Sequence, residues 1–337
     1  MSRKQYHVGE SVVKVQYLSK VLFYSLISAS FVACTGQESG PEIDMNNGDE
    51  TPVWACRTEF GESHEATQQF WTALRADDKT SRNEVIESLA AAMELHPDEE
   101  IFPLLHGLAS LWVVAEPLPE EDGDLGLQGL HAMNARASLE IAWELCPGDY
   151  RITAWLGPIL INTGRFMQDE AMIEEGLAIL DEGIANYPEF VLFSKLLTYA
   201  DEDVNSPEFQ NAFEAVRDNT SACAGDEVDS DAGVVIESNF EDPACSNHFR
   251  AAHNVEGSAL FVGDVYLKAG DYETATRVYT QGLETSDAEN WRYRSLLEER
   301  LDDLETFRSE APERNNKDGR GWIWRSQVQC AVCHGAE

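Results

Sequence analysis

The chain is short of positive charge. It carries 24 lysines and arginines against 61 aspartates and glutamates in 337 residues, a formal net charge of −37. Such a surface repels phosphate backbones and anionic headgroups, so nucleic acid is not an expected partner. Two readings of the acidity remain: solubility, or attraction of basic partners. Alternating apolar and polar runs, the mark of half-buried strands, are nearly missing. Also missing are a phosphate-cradling glycine loop, a nucleophile elbow and a paired-histidine zinc helix. His64-Glu65 starts like the last of these, but Gln68 stands where the second histidine belongs. Acidic residues are too many for one catalytic carboxylate pair to stand out, and no enzyme activity is expected. Glycine and proline are not enriched, and 43% of residues are hydrophobic, enough for one large core or two smaller ones.

Long apolar runs are scarce as well. Val21 to Ala33 is too short and too poorly flanked to span a bilayer. With Arg3, Lys4, Lys14 and Lys20 before it, it reads as an export signal over residues 1–33. Removing it takes four bases and only Glu10 among the acids, which leaves 20 against 60. The signal ends Phe31-Val32-Ala33-Cys34, which resembles the lipobox of bacterial lipoproteins, although leucine is usual where Phe31 stands. That resemblance implies that Cys34 becomes the first mature residue and carries lipid. The alternative is ordinary signal cleavage, with Cys34 a plain cysteine. Thr35 follows where an aspartate would resemble an inner-membrane retention signal, so the implied address is the outer membrane, on its periplasmic or cell-surface side. The membrane is then met through the anchor alone.

Residues 34–54 are polar, acidic and aperiodic, and read as a flexible tether. From there to residue 308 the pattern is helical. Arg82 to Leu95 places Val85, Leu89, Ala92 and Met93 on one stripe and stops at His96-Pro97. Similar endings recur at Cys146-Pro147 and Tyr187-Pro188, a repeat signal. The clearest unit runs from Gly257 to Leu283: small Gly263 and aromatic Tyr266 in one helix, Gly270 at the turn, then Ala275, Tyr279 and Gly282 in the next. A second runs from Tyr150 to Pro188, with Gly157, Gly164, Gly176, Leu180 and Gly183, and has seven more residues between its small positions. These offsets resemble tetratricopeptide (TPR) repeats, over about residues 60–284. The resemblance implies an all-α solenoid of about five helical hairpins, not an enzyme, that binds a protein partner along its repeat surface. A loop from Glu116 to Gly126 interrupts one hairpin. Asp201 to Asn254 departs from the repeat as an acidic insertion with one short helix, Pro207 to Val216. Ala288 to Phe307, striped by Trp291, Leu297, Leu301, Leu304 and Phe307, is a final capping helix.

Seven cysteines must be placed in an oxidising compartment. Cys34 goes to lipid. Cys223 pairs most simply with Cys245, since both fall in the acidic insertion, and Cys56 with Cys146 then follows by elimination among three possible pairings. Cys330 and Cys333 lie in a tail, residues 309–337, ending Cys330-Ala331-Val332-Cys333-His334-Gly335. Two thiols at that spacing reach the two vinyl groups on one porphyrin edge, and the adjacent imidazole reaches the iron. The wording resembles the haem c site of class I cytochromes c, which implies one haem held by Cys330, Cys333 and His334. A Cys330–Cys333 disulfide and a zinc site are the other uses of such a pair. Three residues follow His334, so a pocket would come from upstream, with Trp322, Ile323 and Trp324 as cover. His253, just before the clearest repeat, ranks first as distal iron ligand, with His248 next. His96, His106 and His131 read as helix-end or packed residues. Three functions fit: a monohaem electron-transfer lipoprotein, a haem-free interaction scaffold, and an accessory lipoprotein of solute uptake.

Overall fold

A computed structural model describes residues 59–116, 118–121, 123–200, 202–224, 255–285 and 288–306. All belong to one compact unit, Thr51–Glu337. Among the described residues there are twelve α-helices, one 3₁₀ turn and no strand. A short α1 (Glu59–Ser63) leads into α2 (Glu65–Arg75), which pairs with α3 (Arg82–Leu95). Then α4 (Ile101–Ala115) pairs with α5 (Leu125–Leu145), and α6 (Tyr150–Met167) with α7 (Glu170–Asn186). Next α8 (Pro188–Tyr199) pairs with α9 (Pro207–Ala224), and α10 (Val255–Ala269) with α11 (Tyr272–Glu284). Last, α12 (Arg294–Asp302) packs on α11 and α10.

The two helices of a hairpin differ in composition, and this sorts them into layers. α4 and α10 are apolar nearly all round and bury almost their whole circumference, as such helices must. By contrast α7 buries only Gly176, Leu180 and Gly183. Close approach within hairpins rests on small residues. Gly157 in α6 faces the Gly176 carbonyl and Leu180 of α7, and Gly282 in α11 faces Ala259 of α10 and Leu297 of α12.

The hairpin turns share a device. Asp77, Gln168 and Gly270 all have left-handed backbones, with φ of 52°, 59° and 87°. In each, the next residue is an aspartate whose N–H reaches back to a carbonyl five residues earlier: Asp78 to Ala73, Asp169 to Gly164, Asp271 to Tyr266. Two of those aspartates also cap the next helix: Asp169 accepts from the Met172 N–H at 3.2 Å and Asp271 from the Thr274 N–H at 3.0 Å. Asp124 and Asp149 cap α5 and α6 in the same way, so part of the acidic excess serves helix starts. Gln168 holds its left-handed conformation against its own Cβ. Replacing it with glycine should therefore stabilise the fold by up to about 1 kcal/mol. Urea denaturation reads this directly, and an unchanged or lower midpoint would mean that the Gln168 side chain compensates.

Several boundaries differ from expectation. The helix expected to stop at Val216 runs on to Ala224, which makes it the second member of the α8–α9 hairpin, and Cys223 lies in its last turn, not in a loop. Phe209, Ala212 and Val216 bury into the core around α10, which holds the helix in place. Pro188 does not merely end a hairpin: it occupies the first turn of α8, where a missing N–H costs nothing. The final helix is nine residues, Arg294–Asp302, preceded by turns from Ala288; Trp291 and Tyr293 are buried in those turns, before the helix begins. The extra seven residues of the Tyr150–Pro188 unit are helix: α6 exceeds α10 by three residues, 18 against 15, and α7 exceeds α11 by four, 17 against 13.

Candidate functional site

The residues expected to carry chemistry divide sharply. Cys34, Cys56, Cys245, His248, His253, Cys330, Cys333 and His334 lie outside the described residues. Cys146 and Cys223 are described, and each is disulfide-bonded. Cys146 is wholly buried at the end of α5. Their expected partners, Cys56 and Cys245, are among the residues not described.

Within the described part, buried polar groups gather in two places. The first is at α10, α11 and α12. Asp264, Tyr279 and Arg300 are each at most 2% exposed. The Tyr279 hydroxyl donates to Asp264 Oδ1 at 2.6 Å, and Arg300 donates from Nε to Oδ1 at 2.9 Å and from Nη2 to Oδ2 at 3.3 Å. Burial, then the Asp264 charge, holds the Tyr279 hydroxyl well above its ordinary value. Burial works against the Arg300 charge, and Asp264 more than offsets it. Both groups keep their protonation throughout the accessible pH range, so this is a structural lock and not an acid–base pair. At the same end of the hairpin the Thr285 hydroxyl donates to buried Glu256. Nearby, buried Lys268 donates to the Ala200 carbonyl at 2.7 Å and so ties α10 to the end of α8.

The second cluster surrounds α4. Arg82, 1% exposed, donates from Nε to the Lys79 carbonyl at 3.0 Å, from Nη1 to the Trp112 and Glu116 carbonyls at 3.1 and 2.5 Å, and from Nη2 to Glu121 at 3.0 Å. Lys79 pairs with Glu116 at 3.0 Å. One arginine thus satisfies the last carbonyls of α4 and pins the long α4–α5 loop. The contact reaches further. Arg292, just before α12, donates to the Ala76 carbonyl at 2.8 Å across 216 positions, and buried Tyr293 faces Asp77. The segment before α12 therefore returns to the first hairpin turn.

Two histidines belong to this second cluster. His106 Nδ1 lies 2.8 Å from the Ser138 hydroxyl, and His131 is 8% exposed. Burial holds both below the ordinary 6.5. For His106 the nearby His131 adds to this, while for His131 Glu121 pulls upward and Arg82 downward. Both are therefore packed and neutral at pH 7. The unfolded chain takes up these protons near 6.5 and the folded one resists, so the unfolded state gains as pH falls below that value. Unfolding midpoints should drop between about pH 7.5 and pH 5.5, and the drop should flatten in His106→Gln/His131→Gln. An undiminished drop in that variant would assign the effect to other groups.

His64 and His96 form a third, smaller grouping with Phe60 and Phe102, their rings 5.5 Å apart. His64 caps α2 by accepting from the Ala66 N–H at 3.2 Å, and His96 closes α3. Among the described residues, no group of three or more His, Cys, Asp or Glu side chains could hold a metal ion. No helix there is long and apolar enough to cross a membrane. Neither polar cluster is among the sites expected from the sequence. Arg82, Asp264 and Arg300 sit at core positions of their helices, which is the signal that could have marked them. No protein-family model, curated protein or solved structure matches the chain.

Proposed function

We propose that the chain is an exported, lipid-anchored helical-repeat scaffold that carries one covalently attached haem c on its tail and serves electron transfer in the bacterial envelope. The observation that carries this reading is Cys330-Ala331-Val332-Cys333-His334 in a chain whose first 33 residues read as an export signal. The donor set suits the group: two thiols two residues apart, each able to add its S–H across a vinyl bond, and an imidazole next to the second. Bound there, haem supplies one-electron transfer at its iron. The chain's own part is to hold the iron through His334, with His253 as the distal ligand, and to shield the ring with Trp322 and Trp324. Lipid on Cys34 would hold the scaffold at the outer membrane. The all-helical hairpin architecture suits a TPR-like solenoid that docks a protein partner. Buried inner helices such as α4 and α10 direct that docking to other surfaces. Disulfides Cys56–Cys146 and Cys223–Cys245 complete the reading, and both described members of those pairs are oxidised.

The test is a visible spectrum of the protein produced with its export signal and haem-attachment machinery, beside Cys333→Ala. A Soret band with reduced α and β bands is expected, retained after acid-acetone extraction and lost in the variant. A colourless protein with normal helical circular dichroism would overturn the haem assignment and leave the second reading, a haem-free interaction scaffold.

A further inference from the structure

The longest helix, α5, has an unusual outer flank. Its core face is His131, Ala135, Ser138, Leu139 and Ala142. About a quarter turn away lie Leu130, Asn134, Ala137, Ile141 and Leu145. Leu130 is 52% exposed, Ile141 41% and Leu145 36%, and Ala137 is exposed between them. Half-exposed Asn134 is the one polar residue of this strip.

Charge makes the strip stand apart. The whole chain has a net charge of −37, yet Leu125 to Cys146 holds only Arg136, Glu140 and Glu144. Arg136 and Glu140 neutralise each other at 2.6 Å, and neither lies on the strip. A basic partner would find nothing there to recognise. A second copy of this chain would find the surface where its own acidity opposes contact least. The spacing is also self-complementary. In an antiparallel pair with its two-fold axis beside Ala137, Leu130 of one copy meets Leu145 of the other, and Asn134 meets Ile141. The small Ala137 falls at the crossing, where two helices approach most closely.

We propose that the α5 flank is an isologous homodimer interface, two copies of this chain packing antiparallel through Leu130, Ala137, Ile141 and Leu145. The inference stands apart from the haem reading and does not depend on it. A helix of this length is about 31 Å long. A single helix pair belongs to the small-interface class, on the order of 1,000 Å² in total, which fits a micromolar pair. Because the surrounding surfaces repel, association strengthens with salt, opposite to a contact made by charge attraction.

Sedimentation velocity of the exported chain, in a density-matched detergent over a concentration series, tests this. The expected result is a rise to twice the monomer mass that moves to lower concentration as salt is added. Ile141→Glu/Leu145→Glu should weaken the dimer at least tenfold with unchanged circular dichroism. Register is tested separately. Leu130→Cys/Leu145→Cys should cross-link two copies on oxidation, and neither single variant should. Monomer mass at every concentration overturns the proposal, as does a dimer indifferent to the Ile141→Glu/Leu145→Glu change. Cross-linking by Leu130→Cys alone overturns the antiparallel arrangement. A monomer whose Ile141→Cys thiol becomes labelled only after Trp322–Trp324 is deleted would assign the strip to the tail instead.

Discussion

Asp264→Ala should cost about 3–5 kcal/mol, the largest loss expected from any single side-chain truncation in the described fold. The reason is what remains. Asp264 is the acceptor for both the Tyr279 hydroxyl and the Arg300 guanidinium, and all three groups are at most 2% exposed. Removing the carboxylate leaves a guanidinium buried next to an aromatic hydroxyl, with its charge no longer balanced by Asp264. Water cannot reach the site to screen that charge without opening α12 from the hairpin. The pair itself is a different quantity. Replacing both partners, as in Asp264→Leu/Arg300→Met, removes the charge as well as its partner and should recover most of the loss. Tyr279→Phe removes one hydrogen bond and should cost about 1–2 kcal/mol, since its ring still fills the space over Gly263. Urea denaturation of these variants decides the matter. A loss under about 1 kcal/mol for Asp264→Ala would mean that α12 is held by Trp291 and Leu297 packing alone. The lock also bears on function, because α12 is the last described helix before the tail that carries Cys330, Cys333 and His334.

What the sequence made legible was whatever depends on local pattern. Arg82–Leu95 is bounded as its apolar stripe and following proline require. The all-helical class and a hairpin order of about the expected number follow from periodicity in the same way. What stayed hidden depends on distant partners. The continuation of α9 past Val216 could not be read from a polar stretch such as Arg217-Asp218-Asn219-Thr220. It is secured from outside, by Asn219 donating to the Glu189 carbonyl at 2.7 Å and by Thr220 buried against the core. Turn residues were legible only where glycine announced them. Gly270 stood out, while Asp77 and Gln168 make the same turn with side chains that disguise it. The return of Arg292 to Ala76 has no local signature whatever. The proposed haem site is the reverse case: it is legible as a motif, yet its residues lie outside those the structure describes.

Glycine substitutions test the close-packed architecture most directly, because one change should have opposite signs at two helical positions. Gly129, in the interior of α5, is exposed, and a Cβ built there meets nothing within 4 Å. Gly129→Ala should stabilise the fold by up to about 1 kcal/mol, the intrinsic helix preference of alanine. Gly176, in the interior of α7, has no such room. A Cβ there would lie 2.8 Å from the Gly157 carbonyl oxygen, 2.9 Å from Leu160 Cβ and 2.9 Å from Ile161 Cγ1. Two of those atoms are backbone or the first side-chain atom of a buried helix, so rotamer changes cannot relieve the overlap. Either α6 and α7 move apart, exposing Leu160 and Leu180, or the helix bends. Overpacking of this kind costs about 1–3 kcal/mol for a methyl group, and the helix preference offsets only part of it. Gly176→Ala should therefore lose about 2 kcal/mol net, and Gly176→Val clearly more, since its branches enter the same space and strain χ1. Thermal unfolding of the three variants side by side gives the answer. If Gly176→Ala rises together with Gly129→Ala, the α6–α7 crossing is looser than these distances imply, and small residues there reflect helix tolerance and not contact. If the two diverge, the glycines at Gly157 and Gly176 are what set the separation of the central hairpin, and with it the stacking of the hairpins on either side.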